Sequence, residues 1–109
     1  MSNPASRPVR HVVFHRPGPK WEPGVDFREQ KGVGEHVQHY WKLHMQGRLE
    51  LGGPFLLENA GGMMVATKEV SRKELEAFAA QDPAVQSGLL VFEIRPWLTA
   101  MEHKRIEES

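Results

Sequence analysis

The sequence contains no cysteine, which excludes disulfide bonds, thiolate nucleophiles and cysteine-based zinc sites. It also has no net charge, because 14 lysines and arginines balance 14 aspartates and glutamates. Its bulk charge therefore attracts neither nucleic acid nor an anionic membrane. No window approaches the roughly 18 consecutive apolar residues of a membrane span, and no secretory signal opens the chain. We expect a cytoplasmic protein with no membrane or nucleic-acid partner.

The 109 residues are enough for one domain, with an apolar fraction of 39% that is ordinary for a globular chain. Residues 1–9 are rich in proline and serine, which predicts a flexible leader. Residues 98–109 form a charged tail. The single domain is expected over residues 10–97.

Breaker residues and hydrophobic periodicity divide this domain into six main elements. The motif S-x-x-E at Ser71 is a capping box that starts a helix, and Asp82 followed by Pro83 starts a further single turn. Strands are predicted at 10–15, 48–51, 63–67 and 89–97, and helices at 34–46 and 71–81. This order predicts an α+β fold of the ferredoxin-like βαββαβ type with a four-stranded antiparallel sheet.

The predicted faces of these elements follow from the same spacings. Val37, Tyr40, Trp41 and His44 recur at helical intervals and predict one apolar stripe, with His44 at the helix surface or the edge of the core. His36, Tyr40 and Leu43 form a second line beside it. Leu49 and Leu51 alternate with polar residues, which predicts that both face the same side of a strand that Gly52-Gly53-Pro54 then ends.

Two helices cover only one face of a four-stranded sheet. The other face is expected to carry Val13, His15, Glu50, Val91, Glu93, Arg95 and Trp97. It is too apolar to be left in water and too polar for a core, so we expect a homodimer that encloses a cavity with ionisable walls. The two glutamates on this face also argue against RNA binding there.

Four short motifs occur in a fixed order along the chain: a Gly-Arg-Leu before Gly52-Gly53-Pro54, then Gly61-Gly62-Met63, residues 81–89 (QDPAVQSGL), and Arg95-Pro96-Trp97. In this order the chain resembles the YCII-related (YciI-like) family over about residues 10–97. The resemblance implies a dimeric α+β barrel, a superfamily that includes isomerases and dehydrochlorinases. It also implies a catalytic histidine and aspartate, matched here by His36 and Asp82.

The residues themselves leave alternatives open for this pair. A histidine in the first turn of a helix is favoured as neutral imidazole, so His36 suits a general base if a carboxylate fixes its tautomer. Its alternative is a solvated structural histidine. Asp82 is fully explained as a helix N-cap, although one carboxylate oxygen can cap while the other faces a cleft.

Five further residues are candidate ligand-binding positions. His15 lies at a strand end; Gly53 and Pro54 offer a close backbone approach, or only a tight turn. Arg95 suits a carboxylate or phenolate, or a pair with a nearby glutamate, and Trp97 suits a pocket wall or a packing anchor.

No metal or cofactor is expected. His36 and His39 are one turn apart, yet no carboxylate accompanies them at the spacing of a zinc protease helix. Two functions remain. One is a cofactor-free lyase, isomerase or dehalogenase that acts on a small cyclic or aromatic acid, and the other is a non-catalytic dimeric protein that binds a small ligand.

Overall fold

The structure is a computed structural model that describes residues 8–57 and 59–103. Its elements are β1 (Val9–Pro17), α1 (Val33–Met45), β2 (Leu49–Pro54), β3 (Gly62–Ala66), α2 (Arg72–Ala80), α3 (Pro83–Gln86) and β4 (Leu90–Leu98), with one 3-10 turn at Phe27–Glu29. The strands form one antiparallel sheet in the order β2-β3-β1-β4. The predicted α+β class with a four-stranded antiparallel sheet is confirmed, and the arrangement is compatible with a ferredoxin-like fold.

The predicted leader and tail fall mostly on residues 1–7 and 104–109, which lie outside the described residues. Val9 and Leu98, which the predictions place in the leader and tail, instead pair with each other at the ends of β1 and β4. Among the described helices, none is both long and apolar enough to cross a membrane.

The helix ends follow their local sequence signals. The Ser71 side chain accepts a hydrogen bond from the Glu74 N–H, and the Glu74 carboxylate accepts one from the Ser71 N–H, so the predicted capping box is confirmed. Gly47, with φ of 74°, follows the last turn of α1. Asp82 caps α3, which begins at Pro83.

The core lies between helices α1 and α2 and one face of the sheet. Val13, Met64 and Ile94 contribute from β1, β3 and β4 to this core. Tyr40 and Leu43 from α1, with Leu75 and Ala79 from α2, pack on them. A second small cluster, Ala84, Leu89 and Leu90, fixes α3 against the start of β4.

The predicted apolar stripe of α1 is buried at Tyr40 but not at Val37 or Trp41. Val37 and Trp41 are each 57% exposed, and His44 is exposed as well. The buried residues of this helix are His36, His39, Tyr40 and Leu43, which include all three of the second predicted line. Hydrophobic spacing alone favoured the stripe with valine and tryptophan, whereas packing turns the face with the histidines towards the sheet.

Strand β2 also differs from its prediction, because it continues through Gly52-Gly53-Pro54. A Cβ on Gly52 would lie 2.3 Å from Met64 Sδ, so this glycine allows close strand contact and does not end the strand. Pro54 is tolerated because β2 is at the edge of the sheet. β1 likewise runs through Pro17, beyond the predicted end at His15.

A register irregularity in β2 changes which way its leucines face. Leu49 pairs with Ala66, and Leu51 pairs with the adjacent Val65, so the two leucines lie on opposite faces. A β-bulge places two residues opposite one and thereby breaks the period of two. The prediction that Leu49 and Leu51 share a face is therefore wrong.

The predicted assignment of β1 residues to the outer face is wrong for two positions. Val13 pairs with Ile94 and His15 with Phe92, which places both on the face that the helices cover. Val13 is 0% exposed and belongs to the core. The sequence Val12-Val13-Phe14 is apolar on both faces, so alternation could not assign them.

We predict that Gly61→Ala destabilises the protein far more than Gly47→Ala, although both glycines have φ of 74°. An alanine in this left-handed conformation costs about 1 kcal/mol at Gly47, where nothing lies near the added Cβ. At Gly61 the Cβ would lie 1.8 Å from the His15 carbonyl oxygen, and the forced backbone shift raises the loss to about 3 kcal/mol or more. Urea unfolding of both variants measures the difference, and equal losses would contradict this account.

Candidate active site

The site is centred on a hydrogen bond between a histidine and an aspartate that lie 46 residues apart in sequence. Nδ1 of His36 lies 2.5 Å from Oδ2 of Asp82. His36 belongs to the first turns of α1, and Asp82 lies directly before α3. Both are buried, with Asp82 0% and His36 9% exposed. The two candidate catalytic residues are therefore in direct contact.

Asp82 also caps α3, so its carboxylate has two roles at once. Its Oδ1 accepts a hydrogen bond of 2.9 Å from the Ala84 N–H, while Oδ2 faces His36. Burial by itself would raise the pKa of Asp82, but the hydrogen bond and charge of His36 and the Ala84 N–H together hold this pKa below its usual range. The carboxylate is therefore ionised, and the shared proton lies on Nδ1 of His36.

Because Nδ1 of His36 faces Asp82, Nε2 is the ring nitrogen that is left for a ligand. No described residue donates to or accepts from Nε2, and the ring lines a cleft. An imidazole with one nitrogen held by a carboxylate and the other open is the arrangement of a general base.

His15 forms the third part of the site, together with Tyr40. His15 is 2% exposed, and its Nε2 lies 3.3 Å from the Tyr40 hydroxyl and 3.9 Å from Oδ2 of Asp82. Burial, with a smaller effect of the nearby His36, lowers the pKa of His15 to about 4, so its ring is neutral near pH 7. Burial raises the pKa of Tyr40, so its hydroxyl stays protonated and donates to Nε2 of His15.

Tyr40 is predicted from the sequence only as a packing residue of the helix, and its contact with His15 is visible only in the structure. A usable signal was present, because Tyr40 follows His36 by four residues and therefore shares its helix face. The neighbouring His39 has a structural role instead. Its Nε2 donates to the Phe78 carbonyl oxygen at 2.6 Å, and its ring stacks on Phe78 with centroids 4.0 Å apart.

The cleft beside His36 lies between α1 and the helix-covered face of β1, β2 and β3. Its volume is about 480 Å³, within the range of roughly 300–1,000 Å³ that is typical of ligand pockets. Its walls are mainly aromatic and aliphatic and include Trp21, Val37, Trp41, Leu49, Met64 and Leu90. The exposed side chains of Val37 and Trp41 are thus walls of the cleft. Trp21 is fixed by a 2.7 Å hydrogen bond from Nε1 to Oδ1 of Asn59.

The predicted ligand-binding residues separate into two groups. His15, Gly53 and Pro54 line the cleft. Arg95 and Trp97 do not, because they project from the opposite face of the sheet, where Arg95 pairs with Val12 across β1 and β4. There Arg95 donates to Glu93 at 2.9 Å and lies over the Phe14 ring.

His15, His36 and Asp82 are also the described residues best placed to hold a metal ion, since one ligand atom from each lies within 4.8 Å of the others. Two ligands of one tetrahedral zinc lie about 3.3 Å apart, given bond lengths of ~2.0–2.1 Å. The 2.5 Å contact between His36 and Asp82 is shorter and fits a direct hydrogen bond. An ion bound by both atoms would have to separate this pair.

The fold and site therefore define a small α+β protein with a buried His-Asp pair that opens onto an apolar cleft. A comparison with protein-family models finds no match for the chain, and a comparison with curated proteins finds none either. The resemblance to the YCII-related family stays a prediction that depends on the motifs and on this pair.

We predict that the buried His15 makes the folded protein less stable as pH falls from about 6.5 towards 4. In this window the unfolded chain binds a proton at His15 that the folded protein does not, and this proton favours the unfolded chain. The free energy of unfolding is therefore unaffected by His15 above about pH 6.5 and decreases as pH falls below that value. Between about pH 7 and 5 the free energy of unfolding should fall by about 2 kcal/mol from this residue.

Urea unfolding at several pH values measures this slope, and His15→Phe should reduce it. His103→Gln, which replaces an exposed histidine after β4, is the matched control and should keep the slope. An unchanged slope in His15→Phe would contradict the assignment.

Proposed function

We propose that this protein is a cofactor-free enzyme that uses acid-base catalysis on a small cyclic or aromatic compound, with a reaction of the lyase, isomerase or dehalogenase type. The observation that carries the proposal is the 2.5 Å hydrogen bond from His36 to the buried Asp82, with the His36 ring on the wall of the cleft. His36 is the proton-transfer residue, and Asp82 positions it.

The chemistry follows from the protonation of this pair. Nε2 of His36 takes a proton from an acidic C–H or O–H group of the bound compound, and the imidazolium that forms is stabilised by the Asp82 carboxylate. In an isomerisation the proton returns to another atom of the same compound. In an elimination, the electron pair of the broken C–H bond forms a double bond as a leaving group such as halide departs.

The fixed geometry of Asp82 supports this role. Its carboxylate cannot rotate without losing the hydrogen bond from the Ala84 N–H that begins α3. The pair therefore holds the His36 ring in one orientation before any ligand binds, which is the preorganisation that proton transfer needs.

We also propose membership of the YCII-related family and a ferredoxin-like βαββαβ domain that forms a homodimer. The strand order β2-β3-β1-β4 and the contact between His36 and Asp82 support the family. The face of the sheet opposite the helices supports the dimer, since Val91 and Trp97 on this face are 39% and 46% exposed. The burial of such apolar surface by a second subunit stabilises the dimer by about 25 cal/mol per Å².

We predict that His36→Ala lowers turnover by about 100-fold or more, the usual contribution of a general base. Because the proposal names a class of substrate and no single compound, the wild type is incubated in D₂O with a panel of candidates. The panel contains small cyclic ketones, lactones and halogenated ring compounds, some of which carry a carboxylic acid. Proton NMR then detects deuterium incorporation, isomerisation or loss of halide. The control His103→Ala removes an exposed histidine that lies outside the cleft and should turn over at the wild-type rate.

Turnover that survives in His36→Ala would contradict the assigned role. Compounds that bind in the cleft without any exchange or conversion would instead support the alternative function, a non-catalytic protein that binds a small ligand.

A further inference from the structure

We infer that the compound bound in the cleft is a neutral ring compound with a hydroxyl group that donates to His36, and that it is not a carboxylate. This inference rests on the proposed role of His36 as a base. From the sequence we expect a cyclic or aromatic acid, with Arg95 either holding it or paired with a glutamate, whereas the charges around the cleft favour a neutral compound.

The walls of the cleft provide no fixed positive charge. Among the residues that line it in the described ranges there is no lysine and no arginine. Arg10 and Arg95 lie on the opposite face of the sheet and are paired, Arg95 with Glu93, and Arg10 with Glu102 and with Glu50, an acidic residue that itself lines the cleft. A carboxylate that left water for this cleft would lose its hydration without gaining an ion pair.

The ionisable groups of the site add to this effect. Asp82 is ionised and lies directly behind His36, so its negative charge opposes a second anion in front of the ring. His15 is neutral near pH 7 and so supplies no compensating charge. His36 would attract an anion only after taking up a proton, and it would then no longer be a base.

The shape and chemistry of the walls favour a ring. Trp21, Phe27 and Trp41 all line the cleft and provide aromatic surfaces for stacking or edge contacts. Nε2 of His36 has no hydrogen-bond partner among the described residues, and in the proposed role of a base it accepts a hydrogen bond from the bound compound. A hydroxyl on an otherwise apolar ring therefore matches both the walls and this acceptor.

The test compares three ligands of nearly the same shape, 4-fluorophenol, 4-fluorobenzoate and fluorobenzene, by ligand-observed fluorine NMR on the full-length protein. At about pH 7.5 the phenol is neutral, since phenolic groups have pKa values of ~10, and the benzoate is charged. We expect 4-fluorophenol to bind about 10-fold more tightly than 4-fluorobenzoate, because only the benzoate loses the hydration of a charge. The phenol should also bind about 3- to 10-fold more tightly than fluorobenzene, because one hydrogen bond usually has an effect of this size.

Two variants locate the binding. Trp41→Ala, which removes a wall of the cleft, should weaken the binding of 4-fluorophenol several-fold. Because Trp41 is exposed, we expect this variant to fold. Arg95→Ala should leave this binding unchanged. A loss of binding in Arg95→Ala would place the ligand on the other face of the sheet and overturn the inference.

Binding of 4-fluorobenzoate as tight as that of 4-fluorophenol would also overturn it, as would the failure of 4-fluorophenol to bind at all. The proposed function fails separately. Selective binding of the phenol with no turnover in the D₂O experiment would keep this inference and reject catalysis, whereas His36-dependent turnover of a carboxylate would keep catalysis and reject the neutral ligand.

Discussion

The buried carboxylate of Asp82 is the constraint on which the rest of the site depends. An ionised carboxylate with no exposed surface costs several kcal/mol unless hydrogen bonds and charges compensate for lost water. Here both oxygens are used, Oδ1 by the Ala84 N–H and Oδ2 by Nδ1 of His36. One side chain therefore begins α3 and ties it to α1. If the two helices separated, the Asp82 carboxylate would lose its hydrogen bond from His36.

The same bond decides what the neighbouring groups can do. It fixes the proton on Nδ1 of His36 and so opens Nε2 to the cleft. His15 lies edge-on to His36, with ring centroids 4.8 Å apart, and its burial keeps it neutral. Tyr40 contacts His15 and completes a layer of polar groups under an otherwise apolar cleft. The carboxylate beneath these rings forms the polar floor on which the proposed proton transfer depends.

The sheet separates this chemistry from a second, charged surface. Glu93 accepts hydrogen bonds from both Arg16 and Arg95 outside the helix-covered face. Arg10 contacts Glu102 and Glu50, and Glu50 also lines the edge of the cleft. A bulge between Leu49 and Leu51 sends Leu49 to the cleft side and Leu51 to the other. The cleft side therefore stays apolar, because the ion pairs of β1 and β4 point the opposite way.

Local signals in the sequence were sufficient for the helix ends. Each of these signals spans no more than four residues, because each satisfies backbone groups of its own turn. They are the capping box at Ser71, the Asp-Pro start of α3 and Gly47 after α1. The α+β class and the antiparallel sheet followed from the order of these elements. His36 and Asp82 were named as candidates through the family resemblance, since neither residue by itself distinguishes a catalytic group from a structural one.

Only the tertiary structure decided which faces meet. The burial of Val13 and His15 depends on strand pairing, and the exposure of Val37 and Trp41 depends on how α1 lies on the sheet. Neither is encoded in the spacing of one segment, since a stretch that is apolar on both sides fits either face. The distance of 2.5 Å between groups 46 residues apart is likewise a property of packing. The sequence by itself determined the helix ends, because those depend on neighbours in the chain, and packing placed the candidate groups together.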